Sequence, residues 1–121
     1  PHFVALCPWA GRFDHEVWLL PKAHEPRFEV TADDRLGEFA GLLRRVRLAV
    51  GIALGRPAYN EVLYSAPVAA TRRRDHWRLE LTPRTATLAG FELGTGCHIL
   101  TVAPERSAEL LRAALPPEDA P

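Results

Sequence analysis

His76-Trp77-Arg78-Leu79-Glu80-Leu81-Thr82-Pro83-Arg84 is the stretch whose reading decides the fold. Side chains of an extended chain point alternately to opposite faces, so His76, Arg78, Glu80 and Thr82 form one row and Trp77, Leu79 and Leu81 the other. The second row is apolar and faces a core, while the first reads as a polar row turned to solvent. A strand of period two belongs in an antiparallel sheet covered on one side only.

Tyr59 to Ser65 alternates in the same way, and the connection from Pro67 to Asp75 reads as a loop. Its Arg72-Arg73-Arg74 triplet reads as a solvated charge run in preference to a phosphate grip. Near the N-terminus, Phe3 to Cys7 is a short apolar strand closed by Pro8, and Glu16 to Leu20 is a second one stopped at Pro21. The Ala10 to His15 turn between them makes an antiparallel pair the default. Lys22 to Val30, without period and carrying Pro26, is a crossing loop. Thr31 to Leu54 is the strongest helix, with Leu36, Phe39, Ala40, Leu43, Val46, Val50, Ala53 and Leu54 at spacings of three and four. Thr31 is its candidate N-cap, Asp33 and Asp34 suit the positive end of the helix dipole, and Gly55 and Pro57 end it.

Gly90 to Gly96 has three glycines in seven residues and reads as a loop leading into a fifth strand, Cys97-His98-Ile99-Leu100. Pro104 opens a short helix through Leu115, and residues 116–121 are expected to fray. Hairpins outnumber crossovers. The expected fold is therefore α+β: one domain over residues 1–115, an antiparallel sheet of about five strands with one long helix packed on it and a short C-terminal helix.

Composition sets the outer bounds. The chain has 121 residues, 47% of them apolar, which suffices for a single core. It contains no methionine and begins directly in a strand, so it is read as a piece of something longer. No run approaches 18 apolar residues, and the N-terminus lacks a basic-then-apolar signal pattern. Fifteen basic residues balance fifteen acidic ones. Zero net charge opposes a nucleic-acid or anionic-membrane partner held by bulk electrostatics. Cys7 and Cys97 lie in apolar strand-like runs without a CxxC neighbour, which reads as buried free thiols in a reducing, cytoplasmic setting.

Local motifs supply little chemistry. The histidines His2, His15, His24, His76 and His98 form no HxxH, HxxxH or HExxH pair, so spacing indicates no metal site. There is no GxSxG elbow and no GxxxxGK[ST] phosphate loop. The Gly90–Gly96 segment is either a cradle for close approach to a ligand or a structural bend.

The 76–82 stretch resembles the histidine-triad strand, His-φ-His-φ-His-φ-φ with φ apolar. His76 matches the first histidine, Arg78 stands in the second place and Glu80 in the third. Family hydrolases and transferases keep their nucleophile in the second place. An arginine, permanently charged and without a free lone pair, is no substitute. A degenerate copy of this kind resembles the C-terminal domain of the galactose-1-phosphate uridylyltransferase family, whose members pair two histidine-triad domains. The resemblance spans nearly the whole chain: Phe3 to Pro8 with Trp9 and Phe13, Glu16 to Lys22 with His24, Tyr59 to Pro67, the His76-Trp77 strand, and Ala89 to Gly96.

That resemblance implies a hexose-1-phosphate nucleotidyltransferase of the UDP-glucose-dependent kind, acting in galactose metabolism. Its nucleophilic histidine would lie in a preceding N-terminal domain, so no catalytic residue is expected in this chain. Substrates would be a nucleoside diphosphate hexose and a hexose 1-phosphate, and the implied assembly is a homodimer. Substrate contacts are expected from Phe91, Glu92, Leu93, Gly94, Thr95 and Gly96, with Phe91 as an apolar floor for the sugar, and from His76. Some members continue the glycine motif with Tyr-Glu where this chain has Thr95-Gly96; nucleoside-diphosphate-hexose phosphorylases, with Gly-Phe-Glu-x-Gly-Thr-Gly, look closer. Metal-binding relatives use histidines at places that match Tyr64, Glu80 and Thr82, so no metal is expected here, and any zinc is left to the preceding domain. The competing readings are a stand-alone histidine-triad nucleotide hydrolase and a non-catalytic binding or scaffold module.

Overall fold

The computed structural model describes residues 1–68 and 75–117. Four strands, β1 (Phe3–Leu6), β2 (Val17–Pro21), β3 (Tyr59–Tyr64) and β4 (Arg78–Pro83), form one antiparallel sheet in the order β1-β2-β4-β3. Register pairs Leu6 with Trp18, Trp18 with Glu80, and Glu80 with Val62. Because facing residues share a side, one face carries Leu6, Trp18, Arg78, Glu80, Val62 and Tyr64, and the other carries Leu19, Leu79 and Leu81.

Helix α1 (Asp33–Leu54) covers the second face. Its Phe39, Val46 and Val50 meet Phe3, Val17, Leu19, Trp77 and Leu81 in one buried cluster. Trp77 is the hub: it is fully buried, with the rings of Phe39 at 5.3 Å, Phe28 at 5.0 Å and Phe3 at 5.9 Å. Its indole Nε1 donates to Glu25 at 3.3 Å, which satisfies the polar edge of an otherwise apolar anchor. Gly55, at φ 73°, closes α1 in the left-handed conformation that glycine tolerates best.

Four sequence expectations change. Ala32, not Thr31, is the N-cap of α1, because the Thr31 hydroxyl instead donates to Glu25 at 3.1 Å. The crossing loop contains a single 3₁₀ turn, Phe28–Val30, which delivers Phe28 to the core. The glycine segment is a short helix, α2 (Gly90–Thr95): the Ala89 N–H donates to Glu92 at 3.1 Å, the Thr95 hydroxyl donates to the Phe91 carbonyl at 2.7 Å, and Gly96 at φ 71° ends it. Residues 97–100 form no strand, so the sheet has four strands where about five were expected. Their backbone is exposed and leads to a side-chain clasp instead of a ladder, which also leaves Cys97 exposed rather than buried.

Helix α3 (Pro104–Ala113) packs on α1 and inserts Leu111 into the core. Pro116, inside the stretch expected to fray, accepts a hydrogen bond from Arg45 at 3.3 Å through its carbonyl. The arginine triplet 72–74 and residues 118–121 lie outside the described residues.

Candidate functional site

The row at Arg78, Glu80 and Thr82 is not solvent-facing. Glu80 is 1% exposed. A carboxylate taken out of water needs compensating charge, and two guanidiniums supply it: Arg78 Nε donates to one oxygen at 2.7 Å and Arg12 donates to the other at 2.5 Å. Arg78 is also sandwiched, its guanidinium carbon 4.4 Å from the Trp18 ring centre and 4.6 Å from that of Tyr64. A hydrogen bond with Tyr64, followed by the nearby Glu80 charge, holds Arg12 still more basic than usual against the opposing effect of burial.

A second buried carboxylate completes the group. Glu16 accepts from the Arg12 N–H at 2.7 Å, the Phe13 N–H at 3.2 Å and Trp18 Nε1 at 2.7 Å. Two acids and two arginines thus cancel in charge around Trp18, and each charge has a partner. Sequence reading treated Arg12 as turn and Glu16 as strand. Strand alternation carried no signal for this cluster, since Leu79 and Leu81 lie on the opposite face from Glu80 and the polar row alone reads as solvent-facing.

This arrangement closes the triad strand to chemistry. Arg78 occupies the second place, has no lone pair to attack phosphorus, and is engaged on three sides. The places assigned to a metal by resemblance do not fit one: both Glu80 oxygens already carry guanidiniums, and Tyr64 stacks on Arg78. Among the described residues, no group of three or more His, Cys, Asp or Glu side chains is placed to hold a metal ion.

Segment 84–99, directly after β4, has the opposite character. Every residue in it is exposed except half-buried Glu92. Phe91 is 55% exposed and Leu93 73% exposed, while Leu88 and Ile99 are also open. Its two ends are fastened. The Arg84 N–H donates to the Ala58 carbonyl at 2.7 Å, and the Phe13 and His98 rings meet edge-on at 5.5 Å. Asp14 accepts from the N–H groups of Thr101 at 2.8 Å and Val102 at 3.1 Å, and also from the Thr101 hydroxyl. Burial raises the Asp14 carboxyl pKa, but the hydrogen bonds from Thr101 and Val102 outweigh it and hold the group below its ordinary range.

The structure therefore gathers Phe91, Glu92, Leu93, Gly94, Thr95 and Gly96 on one short helix, with Glu92 engaged in capping. It does not bring His76 to them. His76 precedes β4, and the glycine segment follows it, so the strand separates them by roughly 20 Å at 3.3 Å per residue. There His76 Nε2 donates to the Pro21 carbonyl at 2.8 Å and its ring meets His24 edge-on at 5.5 Å.

An ADP-glucose phosphorylase from Arabidopsis thaliana is 33% identical over 114 residues, which is 92% of this chain and 32% of that protein. The crystal structure of that plant's ADP-glucose phosphorylase with bound ADP-glucose superimposes at a TM-score of 0.88 over 92% of this chain and 37% of the other. The galactose-1-phosphate uridylyltransferase of Thermotoga maritima is 28% identical over 120 residues, 92% of this chain and 38% of that protein. Over its matched length the chain is homologous to part of an ADP-glucose phosphorylase and to part of a galactose-1-phosphate uridylyltransferase. It spans about a third of the length of these curated relatives. No protein-family model matches it. A zinc-bound histidine triad family protein from Mycobacterium smegmatis, at 20% identity and a TM-score of 0.66 over 93% of this chain, shares the fold alone. The α+β fold is thus common to both groups, and the ADP-glucose phosphorylase and the uridylyltransferase are similar in sequence as well.

The chain thus combines a β4 strand whose buried Glu80 is paired with two arginines and a short helix with exposed apolar side chains after the strand's exit. No helix among the described residues is long and apolar enough to cross a membrane.

Proposed function

We propose that the chain is the C-terminal, non-nucleophilic domain of a hexose-1-phosphate nucleotidyltransferase and that α2 is its contribution to the hexose site. The locking of Arg78 between Glu80, Trp18 and Tyr64 carries this reading. A domain whose triad strand is fully engaged has a sugar-binding or interface role left to it. The length of the relatives, about three times the span matched here, leaves room for a catalytic domain elsewhere in the protein.

In the whole enzyme, a histidine of the preceding domain attacks the α-phosphate of a nucleoside diphosphate hexose. The N–P bond forms as the P–O bond to the hexose phosphate breaks, and a second hexose 1-phosphate, or inorganic phosphate, then takes the nucleotidyl group from the histidine. This chain positions the hexose. Phe91 offers an apolar face to the C–H side of the ring, and Leu93 flanks it. Backbone groups at Gly94, Thr95 and Gly96 meet the hydroxyls, while Glu92 keeps the helix formed. The same reading makes the enzyme a homodimer of the reducing cytoplasm, which suits two free thiols. It assigns any zinc to the preceding domain and makes the 121-residue chain inactive alone.

In the full-length enzyme, Phe91→Ala should raise KM for the hexose substrate about tenfold, as expected for losing one apolar contact. Unchanged kinetics would remove α2 from the sugar site. Nucleotidyl turnover by the isolated chain would favour a stand-alone hydrolase instead.

A further inference from the structure

Beneath the β1–β2 connection lies a small cavity of about 10 Å³, bounded by Cys7, Phe13, His15, Leu100, Val102 and Ser107 among others. Two of its lining residues carry a buried polar atom, His15 Nδ1 and Ser107 Oγ, and neither atom has a hydrogen-bond partner among the described residues. His15 is 9% exposed and Ser107 1% exposed. Leaving one such group unsatisfied is costly, and two in a single cavity point to a shared partner. The volume suits one water molecule and nothing larger.

We propose that this cavity binds a single structural water that bridges His15 Nδ1 and Ser107 Oγ. A hydroxyl both donates and accepts, and an imidazole nitrogen does one or the other, so a water complements either tautomer. The bridge would join the β1–β2 connection to the first turns of α3. His15 has φ 61°, a left-handed conformation that a non-glycine residue keeps only when its surroundings over-determine it. Next to it, Asp14 clasps Thr101 and Val102, and Phe13 meets His98. The water is then a third fastening of the short segment Phe13-Asp14-His15, this one onto α3 beside the Asp14 clasp.

A high-resolution crystal structure of the full-length protein should show ordered density within hydrogen-bond distance of both atoms. A dry cavity, or a direct bond between Nδ1 and Oγ, would overturn the proposal. Thermal unfolding of two variants gives an independent reading by sign. With the water present, Ser107→Ala removes one of its partners and lowers Tm by a few degrees. Ser107→Val places a methyl where the water sits and lowers Tm further. In a dry cavity both signs reverse, because alanine deletes an orphaned hydroxyl and valine fills empty space. If the valine variant fails to fold, the alanine variant and the crystal structure still decide the matter.

Discussion

Strand β4 and the arm that follows it distribute polar and apolar groups in opposite ways. Residues 78–83 bury a carboxylate against two arginines, whereas residues 84–99 leave Leu88, Phe91, Leu93 and Ile99 open to solvent. In the strand, the buried carboxylate has both oxygens engaged by guanidiniums within the fold. In the arm, local capping and the Asp14 clasp order a helix whose apolar side chains make no core. The difference teaches that the β4 face is occupied by internal charge pairing, while the segment at the strand's exit keeps apolar side chains that the core does not use.

The comparison breaks most directly at Glu80. Glu80→Ala leaves Arg78 and Arg12 without their carboxylate and should cost about 3 kcal/mol in urea unfolding, toward the low end for a broken buried pair because both arginines reach solvent. The double change Glu80→Leu with Arg78→Met should recover much of that loss. If the single change is neutral, the cluster is not what holds this face.

Arg78→His tests whether chemistry could return to the strand. It should lower stability by about 1–2 kcal/mol, through the lost stacking on Trp18 and Tyr64 and the weaker bond to Glu80. Nucleotidyl transfer by the chain should stay at background. Turnover appearing with the histidine would mean that the neighbourhood kept its catalytic competence.

A smaller, local effect is expected at the clasp. Asp14→Ala should speed amide exchange at Thr101 and Val102 on the order of tenfold, leaving global unfolding less affected. Acid should lower the protection of the same two amides, measured relative to their intrinsic exchange rates. A carboxyl with a folded pKa below its unfolded one contributes stability in full above about pH 4, and the contribution is lost as pH falls through the folded value. Protection at Thr101 and Val102 that is unchanged by protonating Asp14 would contradict the clasp. Phe91→Ala should change stability least, by under about 0.5 kcal/mol, since the ring is exposed and outside the core cluster. A larger loss would show that the arm packs on the domain.

The long helix, the four strands and the apolar row of β4 were legible from periodicity, because burial on one side of an element imprints a period of 3.6 or 2 on the chain. The resemblance carried by Arg78 in a triad place was legible too, as a lone pair is a property of a residue type. Periodicity misled at residues 90–100. Three glycines suggested a loop, yet short-range bonds from the Ala89 N–H and the Thr95 hydroxyl closed a helix turn. The apolar run after it suggested a strand, but a strand exists only where a neighbour pairs with it.

What the sequence by itself determined is the long helix, the C-terminal helix, the four strands and the absence of a lone-pair nucleophile at Arg78. Each follows from local geometry or from the chemistry of single side chains. What only the tertiary structure decided is which charges meet: that Arg12 crosses from the β1–β2 connection to Glu80, that Asp14 reaches Thr101 from 87 residues away, and that His76 stands apart from α2. Those outcomes depend on strand register and on the burial of unlike charges together, and both arise only when distant segments pack.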